Sequence, residues 1–117
     1  AVLHHTGVAH VHHDLLIETA HDAPLRAWRV ENWPVVGQAI VERLPDHRRV
    51  YLEYEGLISG GRGQVKRVDE GTCEIEHDDP VMLIAHVDGR HGKLKLRLRE
   101  LNGDRWQLEV TASSSVS

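Results

Sequence analysis

Six residues that can bind metals or transfer protons lie within eleven positions of this 117-residue chain, namely His4, His5, His10, His12, His13 and Asp14. Side chains two residues apart on a strand project from the same face, so His12 and Asp14 form a chelating pair. A third ligand must come from a neighbouring segment, and His4, His5 or His10 could supply it. Two imidazoles and one carboxylate suit Mn²⁺, Zn²⁺ or Fe²⁺. The alternative is a solvated histidine-rich segment.

A second cluster runs from Asp46 to Tyr51. If a strand begins near His47, then His47, Arg49 and Tyr51 share one face. A histidine, a guanidinium and a phenol together can hold a phosphate, because each donates hydrogen bonds and arginine can do so with two parallel N–H groups. The alternative is an ordinary solvated strand face.

Two further patterns could contact phosphate. The glycine-rich segment 56–63 lacks the lysine and the Ser/Thr of a P-loop, so a tight surface turn is the better interpretation. The alternating stretch 93–99 places Lys93, Lys95, Arg97 and Arg99 on one face. That face could neutralise nucleic-acid phosphates, or it could be the solvent side of an amphipathic strand.

Composition narrows the class of protein. Fourteen Lys and Arg against eighteen Asp and Glu give a net charge of −4, which argues against a protein that coats nucleic acid through overall charge. Its single cysteine, Cys73, excludes an internal disulfide and a cysteine-rich zinc site. No apolar run reaches the ~20 residues of a membrane span, and no signal peptide is evident. We therefore expect a soluble cytoplasmic protein without a membrane partner.

Periodicity predicts a mostly β fold. Strands are predicted over residues 12–19, 25–31, 48–55, 64–69, 72–76, 81–87, 93–100 and 105–111. Asn102-Gly103 joins two alternating runs and predicts a hairpin. Residues 36–44 could form one short helix or a strand. We expect one domain over 1–112, a small closed or nearly closed barrel of about eight strands with at most one short helix, and a frayed tail at 113–117.

Taken in order, these segments resemble the 3′-phosphoesterase domain of bacterial DNA ligase D, which also occurs as stand-alone proteins in bacteria and archaea. The resemblance extends from His4 to Val110. It rests on HHDLLIE at 12–18, LRAWRV at 25–30, the spacing from Asp46-His47 through Tyr51 to EGLI at 55–58, GT at 71–72, GKLKLRL at 92–98 and RWQL at 105–108.

The resemblance implies a Mn²⁺-dependent hydrolase that trims DNA 3′ ends during break repair by non-homologous end joining. Such an enzyme removes a 3′-terminal ribonucleotide and then the 3′-phosphate. The implied partners are DNA 3′ ends and a DNA ligase or polymerase of the repair system, with nucleoid association while the protein acts.

Residue by residue, His12 and Asp14 match metal ligands of the family. His47 and Tyr51 match the histidine and tyrosine that engage the scissile phosphate. A further metal histidine lies six residues before the equivalent of His12, where this chain has Thr6. His5 fits with a one-residue insertion, and His4 fits with two.

The chain departs from the family at its phosphate-binding cations. Leu16 replaces an arginine and should share the face of Asp14, a family lysine falls on Asn32, and a further arginine falls on or near Ala39. Loss of one such donor commonly lowers a rate by ~10²–10³. Substitutes could be Arg49, Arg62 or Lys66. The departures leave open a non-catalytic, metal-containing β-barrel module that binds DNA ends or a repair partner.

Overall fold

The computed structural model describes residues 1–113, and its regular elements are ten β-strands and one turn of 3₁₀ helix. The strands are β1 (Val2–Thr6), β2 (His12–Ile17), β3 (Leu25–Val30), β4 (Gly37–His47), β5 (Gly56–Leu57), β6 (Gln64–Asp69), β7 (Gly71–Asp79), β8 (Met82–Gly89), β9 (Gly92–Asn102) and β10 (Arg105–Ala112). The helical turn, η1, spans Arg49–Leu52. The predicted mostly β class is confirmed.

All ten strands belong to one antiparallel sheet in the order β5-β6-β1-β2-β3-β4-β10-β9-β8-β7. Ten strands form where about eight were predicted. β1, β4 and the two-residue β5 are additional, because β1 and β5 carry too little alternation to be recognised, and the predicted strand at 48–55 is absent. Within residues 1–113 no hydrogen-bonded ladder joins β5 to β7, so the sheet is open in its backbone pairing.

The sheet nevertheless curls, because the chain connects its two ends directly. β6 lies near one end of the strand order and β7 at the other, yet only Glu70 separates them. Asp69 at the end of β6 accepts hydrogen bonds from the backbone N–H of Arg90 (2.9 Å) and from Trp33 Nε1 (2.8 Å). The carboxylate of Asp69 thus ties both ends of the sheet together.

The inner face of the curled sheet holds the main core. Trp28 and Trp106 meet edge to face there with ring centroids 5.5 Å apart, which agrees with their interpretation as packing residues. The buried members of the core are Val2, Leu15, Ile17, Trp28, Val30, Val41, Leu83, Leu96, Leu98, Trp106 and Leu108. These tryptophans supply the bulk that phenylalanine, absent from this chain, would otherwise supply.

A smaller apolar group, which we call the outer cluster, covers part of the opposite face. Its buried members are Leu3, Leu16, Leu25, Ala27 and Val65, and segment 51–58 packs over them. The prediction of a strand at 48–55 is wrong. A strand would send Tyr51 and Leu52 to opposite sides, whereas the helical turn lets Tyr51, Leu52 and Tyr54 all pack against the outer cluster.

Other local predictions fare better. The hairpin at Asn102-Gly103 is confirmed, with Gly103 at a φ of 51° between β9 and β10. Of residues 36–44, all but Val36 are strand, because β4 begins at Gly37 and pairs with both β3 and β10. Of the predicted tail, Ser113 donates its backbone N–H to the carbonyl of Lys93 (3.0 Å), and residues 114–117 lie outside the described part of the chain. The described residues contain no helix long and apolar enough to cross a membrane.

Candidate metal centre

The pairing of β1 with β2 brings three potential ligands to one spot on the outer face. His5 lies opposite His12, and Leu3 opposite Asp14, so the side chains of His5, His12 and Asp14 share a face. One nitrogen or oxygen atom from each lies within 4.8 Å of the other two. We call these three residues the histidine–aspartate site.

Backbone carbonyls orient both imidazoles. His12 Nδ1 lies 2.8 Å from the carbonyl oxygen of His10, and His5 Nε2 lies 2.7 Å from that of Arg62. A carbonyl oxygen only accepts hydrogen bonds, so each of these ring nitrogens carries the proton and donates. In the neutral rings, His12 Nε2 and His5 Nδ1 therefore keep free lone pairs. Protein metal sites commonly fix their histidines in this way.

These two ring nitrogens lie next to a buried carboxylate. His12 Nε2 lies 3.0 Å from Asp14 Oδ1, and His5 Nδ1 lies 3.6 Å from Asp14 Oδ2. His12 and Asp14 are each only 4% exposed. No described group has hydrogen-bond geometry to Asp14 Oδ1. A buried carboxylate beside two acceptor nitrogens, one buried and one half-buried, is unfavourable without a cation, so the donor set fits a divalent transition metal.

The alternate histidines lie elsewhere. His4 is on the opposite face of β1, where it stacks on His13 with ring centroids 4.7 Å apart. Burial lowers the pKa of the His13 imidazole, since desolvation disfavours its charged form. The exposed His10 ring lies 2.8 Å from Glu31 Oε1, and only its backbone carbonyl reaches the site. Of the three histidines that could supply the third ligand, the structure brings His5 to His12 and Asp14.

His47 and Tyr51 lie next to each other but not on a common strand. His47 is the last residue of β4, Tyr51 lies in η1, and their ring centroids are 5.8 Å apart. His47 Nδ1 donates to the carbonyl of Pro45 (2.9 Å), and the Tyr51 side chain packs against the outer cluster. Both therefore occupy the same face of the sheet as the histidine–aspartate site.

The strand register sets the distance between two halves of the outer face, namely the histidine–aspartate site and the pair formed by His47 and Tyr51. His47 pairs with Leu25, whereas Asp14 pairs with Arg29, four residues further along β3. At about 3.3 Å per residue this corresponds to ~13 Å along the strand. Leu16, 1% exposed, lies between the two halves in the outer cluster. It shares the face of Asp14, as predicted, but is packed among apolar side chains.

The three cations proposed as phosphate ligands are placed as follows. Arg49 binds the carboxylate of Glu18 and the carbonyls of Ala20 and Ala23. Arg62 donates from Nε to the carbonyl of Ser59 (2.7 Å). Lys66 lies opposite His4, and so on the other face from His5. The structure brings none of these three cationic groups into the histidine–aspartate site.

Sequence reasoning missed Arg29. It is the direct cross-strand partner of Asp14, its Nε is buried without a hydrogen-bond partner in the described residues, and its Nη1 lies 3.6 Å from Glu42 Oε2. A shallow groove beside it is lined by His10, Arg29, Glu31, Ile40, Val41, Glu42, Asp104 and Arg105. Alternation along 25–30 could have placed Arg29 on the face of Leu25 and Ala27, but only the β2–β3 register places it opposite Asp14.

No protein-family model and no curated protein sequence matches the chain.

Proposed function

We propose that this protein is a metal-dependent phosphoesterase that processes DNA 3′ ends, removing a 3′-terminal ribonucleotide and a 3′-phosphate in break repair. The observation that carries the proposal is the histidine–aspartate site, in which ligand atoms of His5, His12 and Asp14 lie within 4.8 Å of one another and both rings are oriented by backbone carbonyls. His12 and Asp14 are also the residues to which the family resemblance assigns metal binding.

The proposed chemistry divides between the two halves of the outer face. A divalent ion such as Mn²⁺, with Zn²⁺ or Fe²⁺ as alternatives, would polarise a phosphoryl oxygen or activate water when bound. His5, His12 and Asp14 would hold it, and three protein ligands leave coordination positions for water or a phosphate oxygen. His47 and Tyr51 offer N–H and O–H donors on the same face, ~13 Å further along the sheet, where they contact a phosphate other than the one at the ion. A DNA end is an extended polyanion and can span both halves.

The proposal extends to architecture and place of action. The curled sheet acts as a nearly closed barrel, supported by two contacts from β7, one to Glu18 just after β2 and one to Arg26 in β3. Cys73 Sγ lies 3.4 Å from the carbonyl of Glu18, and Arg26 Nη1 donates to Asp78 Oδ1. With DNA ends as substrate, the protein works in the cytoplasm, at the nucleoid, alongside a ligase or polymerase.

A second candidate is a non-catalytic module that binds a metal and a DNA end. The observation that favours it is the burial of Leu16, which occupies the position of a family arginine and fills the outer cluster. A protein that has exchanged this cation for an apolar packing residue could retain end binding without cleavage.

One assay separates the two candidates. A primer–template ending in one ribonucleotide, and another ending in a 3′-phosphate, are incubated with the protein and Mn²⁺, Zn²⁺, Fe²⁺ or EDTA. Metal-dependent trimming that disappears in His12→Ala and persists in the exposed control His21→Ala supports the phosphoesterase. Tight binding of both ends without product, under every metal, identifies the binding module.

A further inference from the structure

We infer that Arg29 is the phosphate-binding cation of this site and that it acts together with the ion held by the histidine–aspartate site. This inference rests on the proposed function, because it places the phosphate of the DNA end between the ion and the guanidinium. Arg29 lies in LRAWRV at a position where the family pattern specifies no residue type. It is therefore a feature of this chain.

The position of Arg29 follows from two strand pairings. On one side its cross-strand partner is Asp14, and on the other it is Glu42. Partners on neighbouring antiparallel strands have Cβ atoms about 4.5–5.5 Å apart, so the Arg29 side chain leaves the sheet beside Asp14, and its guanidinium lies 3.6 Å from Glu42. The side chain is 37% exposed, which leaves its outer N–H groups accessible from the groove.

The guanidinium has donors to spare. Its Nε is buried and unpartnered within residues 1–113, and its 3.6 Å approach to Glu42 is longer than a hydrogen bond. Buried polar groups without a partner are uncommon in folded proteins and call for a ligand or water. A planar guanidinium with free N–H groups is well suited to bind two oxygens of one phosphate.

Local charge makes this anion site dependent on the metal. Without an ion, the carboxylates of Asp14 and Glu42 flank Arg29 and repel an incoming phosphate. When a divalent ion occupies the site, it neutralises Asp14 and adds positive charge beside Arg29. Asp14, Arg29 and Glu42 form a row across neighbouring strands. Arg105 on β10 continues this row, because it is the cross-strand partner of Glu42 on β4. Metal and phosphate should therefore strengthen each other's binding.

The chemistry favours a terminal phosphate over a buried small molecule. The groove is shallow and open, and it is lined by the basic residues His10, Arg29 and Arg105 together with the acidic residues Glu31, Glu42 and Asp104. Such a shape admits the end of a polymer whose remainder lies outside. Because Leu16 stands where the family has an arginine, β2 offers no cation after Asp14. Arg29 makes the phosphate contact instead.

The test measures phosphate and metal binding separately by titration calorimetry on the full chain. The probes are inorganic phosphate and a short 3′-phosphorylated deoxyoligonucleotide, each added to protein with and without Mn²⁺. The variants are Arg29→Gln and Arg29→Lys. The control is Arg99→Gln, which removes an arginine from the same side of the sheet where it bonds to Gln107.

We expect Arg29→Gln to bind Mn²⁺ within about threefold of wild type and to weaken both phosphate probes by ~10–100-fold, the effect of losing one charge-assisted contact. Arg29→Lys should recover part of the loss, and Arg99→Gln should match wild type. Phosphate binding to the wild type should require Mn²⁺.

Unchanged phosphate affinity in Arg29→Gln, or an equal loss in Arg99→Gln, would overturn the inference. So would loss of Mn²⁺ binding in Arg29→Gln, which would make Arg29 a support for Asp14. Failure of the wild type to bind either probe overturns it as well. If the wild type cleaves no DNA end but the Arg29→Gln effect is seen, the phosphoesterase proposal fails while this inference stands.

Discussion

His5 and His12 face each other across β1 and β2 with ring centroids 4.9 Å apart and ring planes inclined by 62°. Each ring is fixed by a carbonyl on its far side, so the nitrogens that remain free converge without help from a ligand. The site is thus preorganised, and binding an ion requires little rearrangement of the protein.

The first prediction concerns metal content and stability. Wild type should bind one transition metal per chain, whereas Asp14→Asn and His12→Ala should bind none. At a concentration 100-fold above Kd, metal should stabilise the wild type by about 2.7 kcal/mol and these variants not at all. Elemental analysis and melting curves with and without Mn²⁺ check this. Retention of the metal by both variants would assign it to other histidines.

In the metal-free protein, Asp14→Asn should be as stable as wild type or more so. The reason is that the substitution removes a buried negative charge with which no lysine or arginine of the described residues forms an ion pair. Denaturant unfolding in chelator measures the difference. A large destabilisation by Asp14→Asn in chelator would mean that the carboxylate stabilises the fold itself.

The second prediction is that the polar groups of His47 and Tyr51 contact phosphate and contribute little to the stability of the fold. His47→Ala and Tyr51→Phe should shift Tm by no more than a few degrees, because the first removes only a bond to Pro45 and the second keeps the packed ring. Both should lower trimming, or phosphate affinity if no trimming occurs. Tyr51→Ala, which empties the packing position, should lower Tm further. Full activity in His47→Ala and Tyr51→Phe would contradict the assigned roles.

The third prediction concerns Leu16→Arg, which restores the family residue. From sequence alone this change should add a phosphate contact. In the structure Leu16 is buried in the outer cluster, so an arginine there places a charge among Leu3, Leu25 and Val65. We expect Leu16→Arg to cost more than Leu16→Ala, itself about 2–5 kcal/mol, with no gain in trimming. Unfolding curves of both variants decide it, and a folded, more active Leu16→Arg would refute it.

The fourth prediction is a pH dependence at the β7–β8 hairpin. A hydrogen bond from His77, with further bonds from the backbone N–H groups of Val81 (2.9 Å) and Met82 (2.8 Å), lowers the pKa of Asp79 from its usual 3.8. Because the folded pKa lies below the unfolded one, this stabilisation is present above pH ~4 and is lost as pH falls through the folded pKa.

Asp79→Asn keeps an oxygen that can accept the two backbone bonds but cannot ionise. Its stability should therefore fall less than that of wild type between pH 5 and pH 3. Denaturant midpoints at the two pH values provide the measurement. Parallel losses in the two proteins would show that other carboxylates dominate acid unfolding.

Sequence reasoning succeeded where alternation was regular and failed where pairing decided the outcome. The leucine–basic alternation of β9 and the Asn102-Gly103 turn predicted a hairpin that the structure contains. His12 and Asp14 were placed on one face by spacing alone. These features depend only on the two-residue period of a strand.

The features that were missed depend on contacts between distant segments. Segment 48–55 alternates like a strand, yet burial of Tyr51, Leu52 and Tyr54 on one cluster favours a helical turn. Arg29 lies opposite Asp14 only in the register observed for β2 and β3, and a shift of one residue would send it to the other face. No local pattern encodes that register.

The carbonyl that orients His5 belongs to Arg62, 57 residues further along the chain. The ligands themselves lie within one hairpin of β1 and β2, which can form early because its ends are close in sequence. The proton position on His5, however, is set only after β6 docks on β1 and the intervening loop has lost its entropy. Metal affinity would then increase only late in folding, when the long-range strand pairs form. A tightly bound ion would therefore indicate that β6, β1 and β2 are assembled.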